Sequence, residues 1–131
     1  MKKLLILPVL ALGLASCAPL QGQKPMIYQG KASDVLAAIT QIAPTVQASR
    51  NHNFYSVIEA TPTQVTLQAD ARPGFVALGA NVPIRVTFTA LESGTTTVVT
   101  HAVRTEVQPN LYSPPIANIY AELGKRFTMV P

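Results

Sequence analysis

The residues of this chain best suited to exchanging protons near neutral pH, holding a metal or attacking as a thiolate are two histidines, His52 and His101, one cysteine, Cys17, and six carboxylates, Asp34, Glu59, Asp70, Glu92, Glu106 and Glu122. A metal centre needs several such ligands close together, and general acid–base chemistry needs a partner within hydrogen-bond reach. Here the carboxylates stand singly and no metal-ligand spacing occurs, so neither a metal nor a cofactor is expected. The serines sit in no nucleophile elbow, and no glycine-rich run follows a strand and opens a helix as a phosphate loop requires. Strand alternation places His101 between Val99 and Val103 on an inward face. There it is either a base or ligand in a helix-lined pocket or a core-edge histidine bonded to a neighbour. The second reading is preferred, because no nucleophile or acid is predicted beside it. His52, in Arg50-Asn51-His52-Asn53, reads as part of a polar turn before the first long strand. No catalytic residue is assigned and an enzyme is not expected.

The thiol of Cys17 has a different chemistry in prospect. Lys2 and Lys3 precede an apolar run from Leu4 to Ala15, closed by small residues, which is the pattern of a secretory signal peptide. A membrane-spanning helix needs about 20 apolar residues. This run ends at Ala18 and is followed by Pro19, Gln21, Gly22, Gln23, Lys24 and Pro25. Leu14-Ala15-Ser16-Cys17 resembles the lipobox of bacterial lipoproteins, a likeness that covers residues 1 to 18. The resemblance implies that a diacylglyceryl group is placed on the Cys17 thiol, that cleavage falls just before Cys17, and that the new amino terminus is acylated. Leu14, Ala15 and Ser16 are then the recognition residues, the last two small enough for an extended backbone in a narrow protease cleft. At about 0.8 kcal/mol per buried methylene, two or three acyl chains hold a protein to a membrane essentially permanently. Ala18 is not the aspartate that resembles an inner-membrane retention signal in enteric-type bacteria, so an outer-membrane address is favoured where the cell has one. An ordinary secretory peptide is the competing reading, but it leaves an exported protein with an unpartnered thiol. One cysteine also excludes an internal disulfide.

Removing residues 1 to 16 from the 131 leaves 115, enough for one domain. The mature chain keeps Lys24, Lys31, Arg50, Arg72, Arg85, Arg104, Lys125 and Arg126 against the six carboxylates. These cations are scattered along the sequence, unlike the basic patch with interleaved aromatics of a nucleic-acid binder, and no nucleic acid is expected. Lys125 and Arg126 fall at a predicted helix end, where they suit the C-terminal carbonyls.

The elements follow from periodicity. Residues 17–25 read as a lipidated tether and residues 26–131 as a single α+β domain. Met26-Ile27-Tyr28 is a short candidate strand between Pro25 and Gly30. Val35, Leu36, Ile39, Ile42 and Ala43 recur at helical spacing behind Ser33, a predicted N-cap, and Pro44 ends the helix. Around a Pro62-Thr63 turn, Ala60 is expected to face Val65, Ile58 to face Leu67, Ser56 to face Ala69 and Phe54 to face Ala71. All of these lie on one inward face, with Tyr55, Val57 and Glu59 outward. Ile84, Val86, Phe88 and Ala90 alternate with Arg85, Thr87 and Thr89 up to a turn at Glu92-Ser93-Gly94, and a return strand runs from about Thr95 to Val107. The loop from Arg72 to Pro83, with Phe75 and Leu78, is the leading candidate for an interaction surface, although those two residues are better read as capping the core. Leu111-Tyr112 is a second apolar candidate. Gln108-Pro109-Asn110 ends the sheet. Ser113-Pro114 opens a second helix carrying Ile116, Ile119, Tyr120, Leu123 and Phe127 on one side and a Glu122/Arg126 pair on the other.

The expected fold is a two-layer α+β sandwich, a four-stranded antiparallel sheet of two hairpins with both amphipathic helices on one face. Behind a lipobox this order resembles several small envelope lipoproteins, including the repeated domains of outer-membrane assembly lipoproteins and the lipopolysaccharide-assembly lipoprotein. It implies a scaffold or partner-binding role. The expected function is therefore a membrane-anchored accessory module of the cell envelope that binds another protein through its exposed sheet face or an edge strand. A small apolar-ligand carrier or sensor is the alternative, and an enzyme using His101 comes last.

Overall fold

The computed structural model describes residues 25–73, 83–104 and 113–131. Leu14, Ala15, Ser16, Cys17, nearly all of the tether, most of the loop between the hairpins and the segment holding Glu106, Val107, Gln108-Pro109-Asn110 and Leu111-Tyr112 lie outside the described residues.

The chain is α+β, with two helices and one antiparallel sheet, but among the described residues the sheet has six strands where four were expected. In chain order they are β1 (Met26–Gln29), β2 (Ser56–Ala60), β3 (Gln64–Ala69), β4 (Ile84–Ser93), β5 (Thr96–Arg104) and β6 (Met129–Val130), arranged β2-β3-β4-β5-β1-β6. The helices are α1 (Ala32–Ile42) and α2 (Ser113–Arg126). The short N-terminal strand is real and sits inside the sheet, pairing Met26 with Val99 of β5 on one side and Tyr28 with Met129 of β6 on the other. Three or four residues carry too little pattern to name a partner so distant in sequence, so β1 was legible as a strand and its place was not.

The second hairpin follows its alternation. Ile84, Val86, Phe88, Ala90 and Val99 are all buried, and His101 joins them opposite Phe88. Ser93 pairs with Thr96, so the tight turn is Gly94-Thr95, with Gly94 at φ +63°. Primed hairpin turns require a positive φ at that first central residue, which glycine adopts at least cost.

The first hairpin departs from expectation. Ala60 faces Val65 as predicted, but the register shifts between Val57 and Glu59, so Val57 and not Ile58 faces Leu67. A bulge adds one residue, and because side chains alternate with period two, every residue before it changes face. Phe54 and Ile58, expected inward, are exposed, and Tyr55, expected outward, is buried. Upstream, Tyr55 N–H donates to the Val46 carbonyl at 3.1 Å and Ala48 N–H to that of Asn53, so segment 46–48 covers the start of this edge.

Both helices lie on the inward face. Val35, Leu36, Ile39 and Ile42 of α1 and Ile116, Ile119 and Leu123 of α2 enter one core with the inward residues of β3 and β4. Pro44 stops α1 as expected, the chain tightening into a 3-10 turn over Ala43–Thr45. Ser33 is not the cap: it lies inside the helix, Lys31 occupies the N-cap position, and the Ala32 N–H donates 2.8 Å to Oε1 of Glu92 at the end of β4. A carboxylate brought from another element does the work expected of the local serine, at the positive end of the helix dipole. At the other helix, Glu122 pairs with Lys125 at 2.8 Å, while Arg126 donates to Gln41 Oε1 of α1 and ties the two helices together.

Candidate functional site

The residue with most chemical potential, His101, sits between β5 and α2 in a buried cluster. β4 supplies Phe88 directly opposite it, and the i, i+3/i+4 stripe of α2 supplies Tyr120. The imidazole Nδ1 and the Tyr120 hydroxyl share a 2.7 Å hydrogen bond, and the Tyr28 hydroxyl of β1 donates to the Tyr120 carbonyl at 3.3 Å. Phe88 packs against both rings, with centroids 5.8 Å from His101 and 5.7 Å from Tyr120, the latter edge-on. Burial lowers the His101 pKa from its usual range, because the charged imidazolium would lose its hydration. Burial likewise pushes Tyr28 up to about 12 and Tyr120 higher still, the latter also through the neighbouring Tyr28. The cluster thus holds a neutral imidazole against the Tyr120 phenol, which keeps its proton. Its geometry clamps α2 to the sheet, the arrangement expected of a core-edge histidine hydrogen-bonded to a neighbour.

His52 is not the simple polar turn its sequence suggests. It is buried, bridges to Ala71, and its Nδ1 lies 2.7 Å from Ser49 Oγ. A serine beside an imidazole is half of a nucleophilic pair. Here the hydroxyl also accepts the Asn51 N–H at 3.1 Å, and the two residues stand three apart in one turn, so the bond shapes the loop that carries them. Among the described residues no group of three or more His, Cys, Asp or Glu side chains could hold a metal ion.

The remaining candidate is a surface. Strand β2 is exposed along its whole length, Val57 and Ile58 included, and Phe54 is exposed just before it. Beside this edge a groove of about 210 Å³ runs between α1 and the first hairpin, lined on one side by Leu36, Ala37 and Thr40 and on the other by Ala60, Pro62 and Val65. Binding pockets for drug-sized molecules begin at about 300 Å³, so the groove suits one or two side chains of a larger partner. Sequence reasoning missed it, because strict alternation buried Ile58 and Phe54. The bulge that exposes them leaves no pattern of its own.

No helix among the described residues is long and apolar enough to cross a membrane. Neither a family model, nor a curated protein, nor a solved structure matches this chain.

Proposed function

We propose that this chain is a lipid-anchored accessory module of the cell envelope that binds another protein along the β2 edge. The observation that carries the binding role is the exposed apolar side chains of Val57 and Ile58 on the strand that leads into a groove lined by Ala60, Pro62 and Val65 and sized for side chains. Apolar groups on a free strand edge are a liability that proteins ordinarily blunt, and their retention beside a groove fits a partner that covers them. The bulge interrupts the regular ladder at Ile58, so the partner contributes side chains to the groove more than a continuous added strand. The anchoring role rests on Leu14-Ala15-Ser16-Cys17.

Two measurements test the two halves. Intact mass and membrane fractionation of the wild type beside Cys17→Ser should show acyl mass and membrane association in the first and neither in the second; equal behaviour defeats the anchor. A photo-crosslinker at Ile58 should trap a defined envelope protein that a crosslinker at Thr87 on the open sheet face does not. The trapping should be lost in Val57→Glu. Equal yields from both positions, or no effect of Val57→Glu, would defeat the binding edge.

A further inference from the structure

The fold gathers cations that the sequence disperses. Ala69 of β3 pairs with Ile84 of β4, and Arg85 of β4 pairs with Arg104 of β5, so these three strand ends lie at one end of the sheet. Arg72 follows β3 there, and its N–H donates to the Asn51 carbonyl at 2.8 Å, which brings Arg50 to the same end. Arg50, Arg72, Arg85 and Arg104 are all exposed. Among the described residues, against them stand Asp70, hydrogen-bonded to Gln68, and Glu59, opposite Thr66 one outer-face row further from this end. Gln68 also accepts from Arg85 at 2.8 Å. Arg85 and Arg104 face each other directly across two strands, an arrangement of like charges that is unfavourable without an anion beside it. At the far end Lys31, Lys125 and Arg126 are offset by Asp34, Glu92 and Glu122.

The first strand points its N-terminal end toward this same end. β1 runs antiparallel to β5 with Met26 opposite Val99 and Gln29 opposite Thr96, so the N-terminal end of β1 points toward the Arg104 end of β5. Five strand residues separate the Val99 row from the Arg104 row, about 17 Å at the usual rise. The nine steps from Cys17 to Met26 span at most about 30 Å. A tether of that reach is long enough to place an anchor at Cys17 level with the arginine row or up to roughly 13 Å beyond it along that axis.

We infer that the Arg50, Arg72, Arg85 and Arg104 end is a membrane-apposed pole that binds the anionic lipid headgroups of the bilayer carrying the anchor. The orientation rests on the anchor proposed at Cys17, whereas the charge cluster stands without it. The test uses the protein as cells process it, reconstituted in vesicles. The chain has no tryptophan, so Asn53→Trp at the pole and Ser93→Trp at the far end are single reporters. In vesicles containing phosphatidylglycerol, a headgroup-nitroxide lipid should quench the first more than the second, and the difference should vanish in pure phosphatidylcholine or high salt. Arg85→Gln with Arg104→Gln should lower the ratio of apposed to free orientation roughly 25-fold, about fivefold per charge, while Lys125→Gln with Arg126→Gln leaves it unchanged. An acylated, membrane-held protein whose reporters quench equally overturns the pole and leaves the anchor standing. A soluble, unacylated protein that still binds anionic vesicles through these arginines overturns the anchor and supports the pole. Retention of short duplex DNA with no preference for anionic vesicles overturns it in favour of nucleic-acid binding.

Discussion

At the scale of single residues, the burial of His101 makes stability depend on pH in a defined direction. The folded protein holds His101 below its usual pKa of 6.5, so the unfolded chain binds that proton more readily. The contribution is complete above pH 6.5 and declines as pH falls from there toward the lowered folded value. Denaturant titrations at pH 7.5 and pH 5.5 should show the wild type losing stability at the lower pH and His101→Gln losing less; identical losses would remove His101 as the source. Tyr28 and Tyr120 act at the alkaline side: both are raised above 10.0, so stability falls as pH climbs past the unfolded phenol value. His101 itself was legible in the sequence as an inward residue, because alternation along one uninterrupted strand is a local property. Its partner was not, because Tyr120 belongs to a helix pattern that records a buried stripe without recording what the stripe meets.

Elements explain where periodicity misleads. A bulge at Ile58 reverses the faces of the preceding residues, which gives opposite expectations for adjacent aromatics. Tyr55→Ala should cost about 3–5 kcal/mol, as buried aromatic truncations do, while Phe54→Ala should stay within about 0.5 kcal/mol. Comparable losses on thermal or urea unfolding would contradict the register shift. The start of α1 offers a parallel contrast. Glu92 supplies the hydrogen bond to Ala32 N–H, so Glu92→Ala should destabilise by about 1 kcal/mol, whereas Ser33→Ala should change little because that serine lies within the helix. The reverse order of effects would restore the local cap that the sequence suggests. Gly30 shows why this junction has one solution. It holds φ +134° and an added Cβ would sit 3.3 Å from the Phe127 ring, so the turn from β1 into α1 is closed by a residue almost a hundred positions later.

For the whole molecule, the two proposals are geometrically compatible. The groove beside Pro62 opens near the turn between β2 and β3, at the opposite end of the sheet from Arg85 and Arg104, so a pole held against headgroups leaves the groove free for a partner. The sequence by itself determined the α+β class, the two helix stripes with Pro44 as a stop, and the inward faces of β4 and β5. Each of these depends on side-chain direction along one short segment, which backbone geometry sets. Tertiary structure alone decided that β1 lies between β5 and β6, that the sheet has six strands among the described residues, that β2 leaves Val57 and Ile58 exposed, and that Glu92 caps α1. It also decided that four arginines spread from position 50 to position 104 meet at one end. These features join segments tens of residues apart, or hinge on one extra residue in a strand. Their energies come from pairing and packing between distant parts of the chain, which no local period encodes.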